Sequence, residues 1–513
     1  MSRGELRLAD LLAALSVTTD LAMGQTPEKA IRACVVATEA ARHLGVAEPE
    51  VADVYYTTLL KHLGCTATAH EEASLFGPDE LALRPVAERT DVGNPRELLA
   101  LLLTTGRGAG AGRLRYMARA MTAGKEANAA ILRAVCEVAA RMAERLRLGD
   151  GVRSALYQSL ERWDGKGEPQ KLRGEGIALP ARIAEPATQA VIFHRLGGID
   201  AVSAMLERRS GGWFDPSVAQ AVAKVAPDVL AELDQDDIWV AVLKGEPEPV
   251  RRISEDRLDD VAAAFADMVD LKTPFTPGHS PGVAELAAGA GARLRLGDPT
   301  ALRRAALLHD LGRAAVPNGI WEKPGPLSTT EWERVRLHPY QTERILARSK
   351  ALSPLVRIAG MHHERQDGSG YHHGAPGREV PPEARLLAAA DAFQAMTQVR
   401  PHRPARSSGE AADGLLEEAR ASRLDPECVR AIIEEAGERS VGLRGSWPAG
   451  LSDREVEVLR LVAGGLSNKA IARRLSISPR TAEHHVQHIY TKIGASTRAS
   501  ATLFAMEQGL LRS

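Results

Sequence analysis

Paired thiols are the first thing missing. Four cysteines, Cys34, Cys65, Cys136 and Cys428, are scattered through 513 residues with no CxxC pair. That excludes a disulfide-stapled secreted domain and a thiolate zinc knuckle, and it points to a reducing compartment, the cytoplasm. Aromatic residues make up only 4%, and strand-like alternation is rarer still, so a sheet architecture is excluded. No stretch approaches the ~18 apolar residues of a membrane span. The N-terminal "MSRGELRLADLLAALSV" reads as an amphipathic helix carrying charges throughout, with no signal-peptide core or cleavage site, so no membrane partner is expected. An excess of one charge sign is also lacking. Lys and Arg number 65 against 66 Asp and Glu, a net charge of −1. A chain that wraps nucleic acid with its whole surface is thereby excluded, although a local basic module is not.

What is present is Ala, Leu and Arg at i, i+3, i+4 spacing over most of the length, which predicts an all-α fold. There is also a repeat. "LLKHLGC" (59–65) returns as "LLHDLGR" (307–313). Around it, "GQTPEKAIRACVVATEAARHLG" parallels "GHSPGVAELAAGAGARLRLG", "ERWDGKGEP" parallels "ERQDGSGYH", "LPARIAEPATQA" parallels "PEARLLAAADAFQA", and "FDPSVAQAV" parallels "LDPECVRAI". Five matched blocks in one order indicate a tandem duplication. The first copy carries roughly 45 additional residues, including "GRGAGAG" (106–112). The flanking "RELLALLL" reads as helix, so this is a flexible loop and not a phosphate cradle, which needs a preceding strand.

In the second copy, imidazoles and carboxylates recur on separate helices. His279 starts one, and His309 and Asp310 lie within "PTALRRAALLHDLG". His338 opens "HPYQTERILA", His362 and His363 end another helix, and Asp391 sits inside "LLAAADAFQAMT". A lone histidine on an apolar helix is more often an ordinary core residue. An unpaired carboxylate in a setting as apolar as that of Asp391 would cost several kcal/mol, a cost that a cation removes. Adjacent His-Asp and His-His pairs suit two ions bridged by an aspartate, and imidazole with carboxylate favours iron, manganese or zinc over magnesium. Such a pair of ions can clamp a phosphodiester for in-line attack.

"GHS", "AALLHDLGRAAVP", "KPGPLSTTEWERVRLHP", "HHERQDGSGY" and "ADAFQAMTQVRPHR" together resemble the HD-GYP family in order and spacing, over about 265–437. The resemblance implies an all-helical phosphodiesterase that hydrolyses cyclic di-GMP with divalent transition metals. It implies the ligands His279, His309, Asp310, His338, His362, His363 and Asp391, with Asp310 and Arg313 in catalysis and Arg313, Tyr371, Arg400 and Arg403 against the substrate. Four positions depart from the family pattern. Arg313 replaces its lysine, His372 its GYP proline and Gln394 a second acid, and Phe275 stands where three-metal members have glutamate. The resemblance therefore implies two metal ions. Paired by the repeat, the first copy has Gln25 for His279, Lys61 for His309 and His62 for Asp310. It has Ser159 and Leu160 for His362 and His363, and Thr188 for Asp391. Nearly the whole ligand set is gone, and a lysine there would repel a cation. His62, Cys65 and His70 lack a clear fourth zinc ligand.

Beyond "GERSVGLRGSWPAG", which reads as a linker, residues 451–513 carry nine Lys or Arg against five Asp or Glu. Four short helices are predicted, with Ser467, Ser478 and Thr497 as caps and Pro479 at a first helical position. This unit resembles the LuxR-type helix-turn-helix. The resemblance implies duplex DNA as partner, a homodimer, and a recognition helix at 479–493. Lys469, Arg480, Thr481, Glu483, His484, His485 and Lys492 would face DNA, Glu483 standing where the family has a basic residue.

The expected organisation is thus a degenerate HD-GYP-like domain (1–235), a metal-binding HD-GYP-like domain (236–437), a linker (438–450) and a LuxR-type domain (451–513). The expected function is a DNA-binding regulator with a two-metal phosphodiesterase acting on cyclic di-GMP or a related nucleotide. The rival reading is a regulator that senses a nucleotide or other ligand without turnover. A phosphohydrolase acting on another phosphoester is the third.

Overall fold

Helices carry nearly all the regular structure, as the 3.6-residue spacing predicts. Among the described residues the strands are two of two residues each, Leu6–Arg7 and Arg252–Ile253, paired antiparallel with Leu6 opposite Ile253. The computed structural model describes residues 5–91, 93–106, 109–122, 124–235, 237–438 and 447–511. They divide into two units, Met1–Asp260 and Val261–Ser513.

In the first unit, the helix Leu8–Ala22 departs from its amphipathic reading, since thirteen of its fifteen residues are buried. Two of its polar side chains are short enough to be satisfied locally. The hydroxyls of Ser16 and Thr19 donate to the carbonyls of Ala13 and Ser16, so the helix can lie inside. Helices Lys29–His43, Glu48–Leu59, Leu179–Arg209 and Pro216–Gln235 build the core. Val36, Val54, Ile183, Val218 and Val222 meet there beside Ala37, Ala40, Ala187 and Ala190, small residues that let the helices approach closely.

The boundary expected at 235 falls elsewhere. Helix Ile238–Gly245 and the strand that follows it pack on the first unit. The hydroxyl of Tyr55 donates to the carbonyl of Val242 at 3.0 Å and that of Tyr56 to Glu246 at 2.6 Å. Buried tyrosines need acceptors, and this segment supplies them. The glycine-rich stretch holds a single turn, Gly110–Gly112, between helices Pro95–Leu102 and Arg113–Thr122, with no strand before it. Its residues 107–108, and 439–446 of the linker, lie outside the described residues.

The duplication is written in side-chain bonds. Asp20 accepts from the amide of Ala30 at 3.2 Å, and Asp270 from that of Ser280 at 2.8 Å. Glu161 accepts from the amides of Gln170 and Leu172, and Glu364 from those of His373 and Ala375. Arg182 pairs with Asp215 at 2.8 Å and Arg385 with Asp425 at 2.9 Å. This register corrects one pairing. The Asp-to-amide bond sets Lys29, not Gln25, against His279. Each begins its helix directly after a left-handed residue, Glu28 (φ 76°) or Gly278 (φ 75°), and "TP" precedes both.

In the second unit, helices His279–Leu294, Pro299–Leu308, Pro382–Thr397 and Pro426–Glu438 carry or adjoin the segments with the predicted ligands. The last four helices are Asp453–Ala463, Asn468–Arg474, Pro479–Ile493 and Arg498–Glu507. The caps fall where the sequence predicts. Ser467, Ser478 and Thr497 accept from the amides of Ala470, Thr481 and Ser500, and Ser452 forms a capping box with Glu455. Val456, Leu459, Ile471, Val486, Ile489 and Phe504 make a separate core for this bundle.

Candidate functional site

The second copy gathers all seven predicted ligands. His279 begins the helix Ser280 belongs to, and Asp270 fixes that start by accepting from both the amide and the hydroxyl of Ser280. His309 and Asp310 are not inside a helix as expected. The helix ends at Leu308, His309 is its C-cap, and Asp310 leads into the turn Leu311–Ala315. Thr342 bonds to both sides of the break. Its hydroxyl donates to the carbonyl of His309 at 2.9 Å and accepts from the amide of Gly312 at 3.0 Å. Gly312 is required there, because a Cβ would fall 1.9 Å from the carbonyl oxygen of His338. His338 opens its helix as predicted. His362 and His363 follow the short helix Val356–Gly360, and Asp391 is mid-helix.

The geometry divides in two around Asp310. Its Oδ2 lies 3.7 Å from His279 Nε2 and 3.5 Å from His309 Nε2. Its Oδ1 lies 3.4 Å from His338 Nε2 and 3.8 Å from His362 Nε2. Asp391 Oδ1 joins the first pair, 3.1 Å from His279 Nε2 and 3.9 Å from His309 Nε2. His363 joins the second, with its donor atom within 4.8 Å of those of His338 and His362.

The donor set fits cations at these places. Nδ1 of His309, His338 and His362 lies 2.7, 2.6 and 2.5 Å from the carbonyls of Ala306, Val335 and Ala359, in each case three residues upstream. A carbonyl can only accept, so in the neutral ring Nδ1 holds the proton and Nε2 is a bare lone pair. Nε2 of His338 and Nε2 of His362 then face each other at 3.3 Å with no proton between them. Nε2 of His309 is buried with no hydrogen-bond partner. Lone pairs aimed at lone pairs and at carboxylates repel unless a cation lies among them. Burial, with His309 adding to it, pulls His362 down to about 3, and burial also holds His363 and His279 low. Burial alone would raise Asp310 and Asp391. The histidines, with Arg313 at Asp310, act the other way and hold both low.

Around this centre the other predicted residues divide. Arg313 donates to Asp310 Oδ2 at 2.9 Å and lies over the Trp321 ring at 4.2 Å. The Tyr371 ring packs on that of His363, centroids 4.8 Å apart. Arg400 acts at one remove. It donates to the carbonyl of Phe275 and to Gln398, and Gln398 Oε1 lies 3.0 Å from His279 Nδ1. Arg403 spends its guanidinium on the carbonyls of Ala395, Met396, Gln398 and Pro404. It clamps a helix end and does not present a free cation to a substrate, which corrects its expected role. Sequence reasoning missed Asp270, Thr342 and Gln398. Only Asp270 left a signal, its echo at Asp20.

The first copy has an ion cluster in the same place. Lys29 Nζ lies 2.7 Å from Glu88 Oε1 and 3.0 Å from His62 Nε2, and His62 Nε2 lies 2.9 Å from Glu88. Lys61 pairs with Glu185 at 2.5 Å. Two ammonium groups thus stand at the positions of His279 and His309. His62 Nε2 faces Lys29 and Glu88, and its Nδ1 lies 3.7 Å from Cys65 Sγ. Burial first, then Lys29, pulls His62 down to about 3.

On the C-terminal bundle, Lys469, Arg480, Thr481, Glu483 and His484 are exposed, and His485 is half-buried. Lys492 is committed elsewhere, 2.8 Å from Glu455 and 3.0 Å from the carbonyl of Gly450. The exposed face also includes Arg473, Arg474 and Gln487, which the sequence reading did not single out.

Residues 119–218 and 263–428 match the family described as HD domain, so both copies are represented, and 449–505 match that described as bacterial regulatory proteins, luxR family. The chain is 32% identical over 436 residues to the 3'3'-cGAMP-specific phosphodiesterase 3 of Vibrio cholerae serotype O1, covering 83% of this chain and 94% of that protein. It is 34% identical over 201 residues to a cyclic di-GMP phosphodiesterase of Pseudomonas aeruginosa, covering 37% of this chain and 48% of that protein. A crystal structure of a cyclic GMP-AMP-specific phosphodiesterase of V. cholerae superposes with a TM-score of 0.59 at 29% identity, covering 85% of this chain and 98% of that one. Among the described residues, no helix is long and apolar enough to cross a membrane.

Proposed function

Because the chain belongs to the HD domain family of metal-dependent phosphohydrolases, in its HD-GYP branch, with a luxR-family domain behind it, we propose that its second copy hydrolyses a cyclic dinucleotide. We take 3'3'-cGAMP first, since the relative carrying that name aligns over most of both chains, and cyclic di-GMP second. The observation that carries the reading is Asp310, whose two oxygens each face a different pair of imidazoles. His279, His309 and Asp391 would hold one ion and His338, His362 and His363 the other, with Asp310 between them. Two such ions, iron, manganese or zinc by this donor set, would supply Lewis-acid activation of water and neutralise charge at phosphorus.

The remaining steps belong to the protein. Arg313, braced on Trp321, keeps Asp310 ionised and brings a cation to the phosphodiester. Tyr371 closes one side of the centre by packing on His363. Carbonyls hold the Nδ1 protons, so each imidazole keeps the tautomer its role needs. The C-terminal bundle binds duplex DNA as a dimer, with Arg480, Thr481, Glu483 and His484 toward the groove and Lys469 toward phosphate. Unpaired thiols and a DNA partner favour the cytoplasm as the working compartment.

The test uses protein purified from iron- and manganese-replete cells, with elemental analysis beside hydrolysis of 3'3'-cGAMP and cyclic di-GMP. Metal together with a linear dinucleotide product is expected, and Asp391→Ala should abolish the product and lower the metal content of the centre. One observation favours the non-catalytic alternative, namely that Arg313 already occupies Asp310 Oδ2. A metal-replete protein that binds nucleotide without turnover would establish that alternative. A protein that takes up no metal would sink the phosphodiesterase reading.

A further inference from the structure

At the rim of the centre stands a second group of ligating side chains. Glu343 lies on the helix His338–Leu346, and His372 and His373 lie on the loop after Tyr371. His372 Nε2 is 3.2 Å from Glu343 Oε2, and His373 Nε2 is 3.0 Å from Glu343 Oε1. One ligand atom from each residue lies within 4.8 Å of the others. The two rings lean together with centroids 4.0 Å apart.

Two ion pairs to one carboxylate do not account for this. His372 has only 15% of its side chain exposed, and neither of its ring nitrogens makes an aligned hydrogen bond. A buried imidazole with both nitrogens unsatisfied is costly. Glu343 is also steered. It passes over Gly360, where a Cβ would fall 2.0 Å from Glu343 Cγ, so the helix Val356–Gly360 leaves room for a carboxylate at this place. His373, with 46% of its side chain exposed, keeps the group open to solvent. Two imidazoles and a carboxylate with an open side are a donor set for zinc or a similar borderline divalent ion at ~2.0–2.2 Å.

We propose that Glu343, His372 and His373 form a separate mononuclear metal site of the zinc type. It joins the loop that carries Tyr371 to the helix that begins with His338. The site is a clamp, because it ties two segments that reach the centre from different parts of the chain. It rests on the side chains at the rim and does not depend on the centre being catalytic.

The test counts zinc. In an Asp391→Ala background that weakens the centre, full-length protein stripped of metal is titrated with zinc alone and read by elemental analysis after gel filtration. Cobalt(II) absorption serves as a second readout. Adding His372→Ala and His373→Ala should remove one equivalent, and Glu343→Gln, which preserves shape, should remove the same one. Equal zinc content with and without Glu343→Gln, in protein with unchanged circular dichroism, would overturn the site. Loss of metal at the centre in Asp391→Ala alone bears on the proposed function and leaves the rim count readable.

Discussion

At the scale of single residues, the centre depends on groups that never reach its ligand positions. Gln398 is the clearest case. It accepts from His279 Nδ1 while Arg400 donates to it, so it sets which nitrogen of His279 faces Asp391. Gln398→Leu should strand that proton and weaken metal affinity at the His279 side by about 10–100-fold, measured by competition with a chelator of known affinity. The cluster of candidate ligands was legible because His and Asp in apolar helices are chemically conspicuous. Gln398 was not, because a half-buried glutamine after a helix looks like any surface residue until the fold brings it against position 279.

The first copy makes a residue-scale prediction about acid. His62 is pulled down to about 3 by burial and then by Lys29, whereas an unfolded histidine titrates near 6.5. Between those values the unfolded state binds the extra proton, so the contribution of His62 to stability is full at neutral pH and falls as the pH drops below 6.5. Glu88, held well below the ordinary carboxylate range despite burial, adds its own loss only below 4.5. His62→Gln cannot titrate. The melting temperature of this variant minus that of the parent should therefore rise from pH 7 to pH 5, read by differential scanning calorimetry. An unchanged difference would mean that His62 is already charged in the fold.

At the scale of elements, the C-terminal bundle was the part best read in advance. Its caps, its Pro479 start and the end of that helix at Ile493 are all local signals. Lys492 was misread for the same reason. Its position near the helix end suggests phosphate, but only the packed bundle reveals Glu455 across from it. Lys492→Ala should cost this domain about 1.5–3 kcal/mol, seen as a lower melting temperature. Arg480→Ala should leave melting unchanged and reduce the slope of log affinity against log salt by about 1. The buried helix Leu8–Ala22 and the segment 238–253 failed at this scale too. Their partners lie far along the chain, and short polar residues such as Ser16 and Thr19 disguise an inside helix as an amphipathic one.

At the scale of the molecule, the second unit contains a cavity of about 620 Å³ bordered by Gly278, Gln398 and Gln394 on one side and by Met506, Gly509 and Leu511 of the C-terminal bundle on the other. Gln398 and Gly278 both adjoin His279. A ligand that shifts His279 therefore alters the wall against which the C-terminal bundle rests, and coupling requires only that the two arrangements differ in affinity for DNA. We expect DNA affinity at fixed salt to change about tenfold between metal-stripped and metal-loaded protein, measured by fluorescence anisotropy. Gln398→Leu should reduce that change. Equal affinities would mean that the two activities share a chain without exchanging energy.

The ammonium pair of Lys29 and Lys61 has one more consequence, which concerns supply. A metal centre must be provisioned from whatever divalent metal the cell can spare, whereas an ammonium is translated with the chain. The half built on lysines is complete as soon as it folds, in feast or famine. The half built on histidines waits for delivery. A cell starved of transition metals would thus hold a protein with one finished half and one vacant half. A chelator should lower the melting of the second half and leave that of the first where it was.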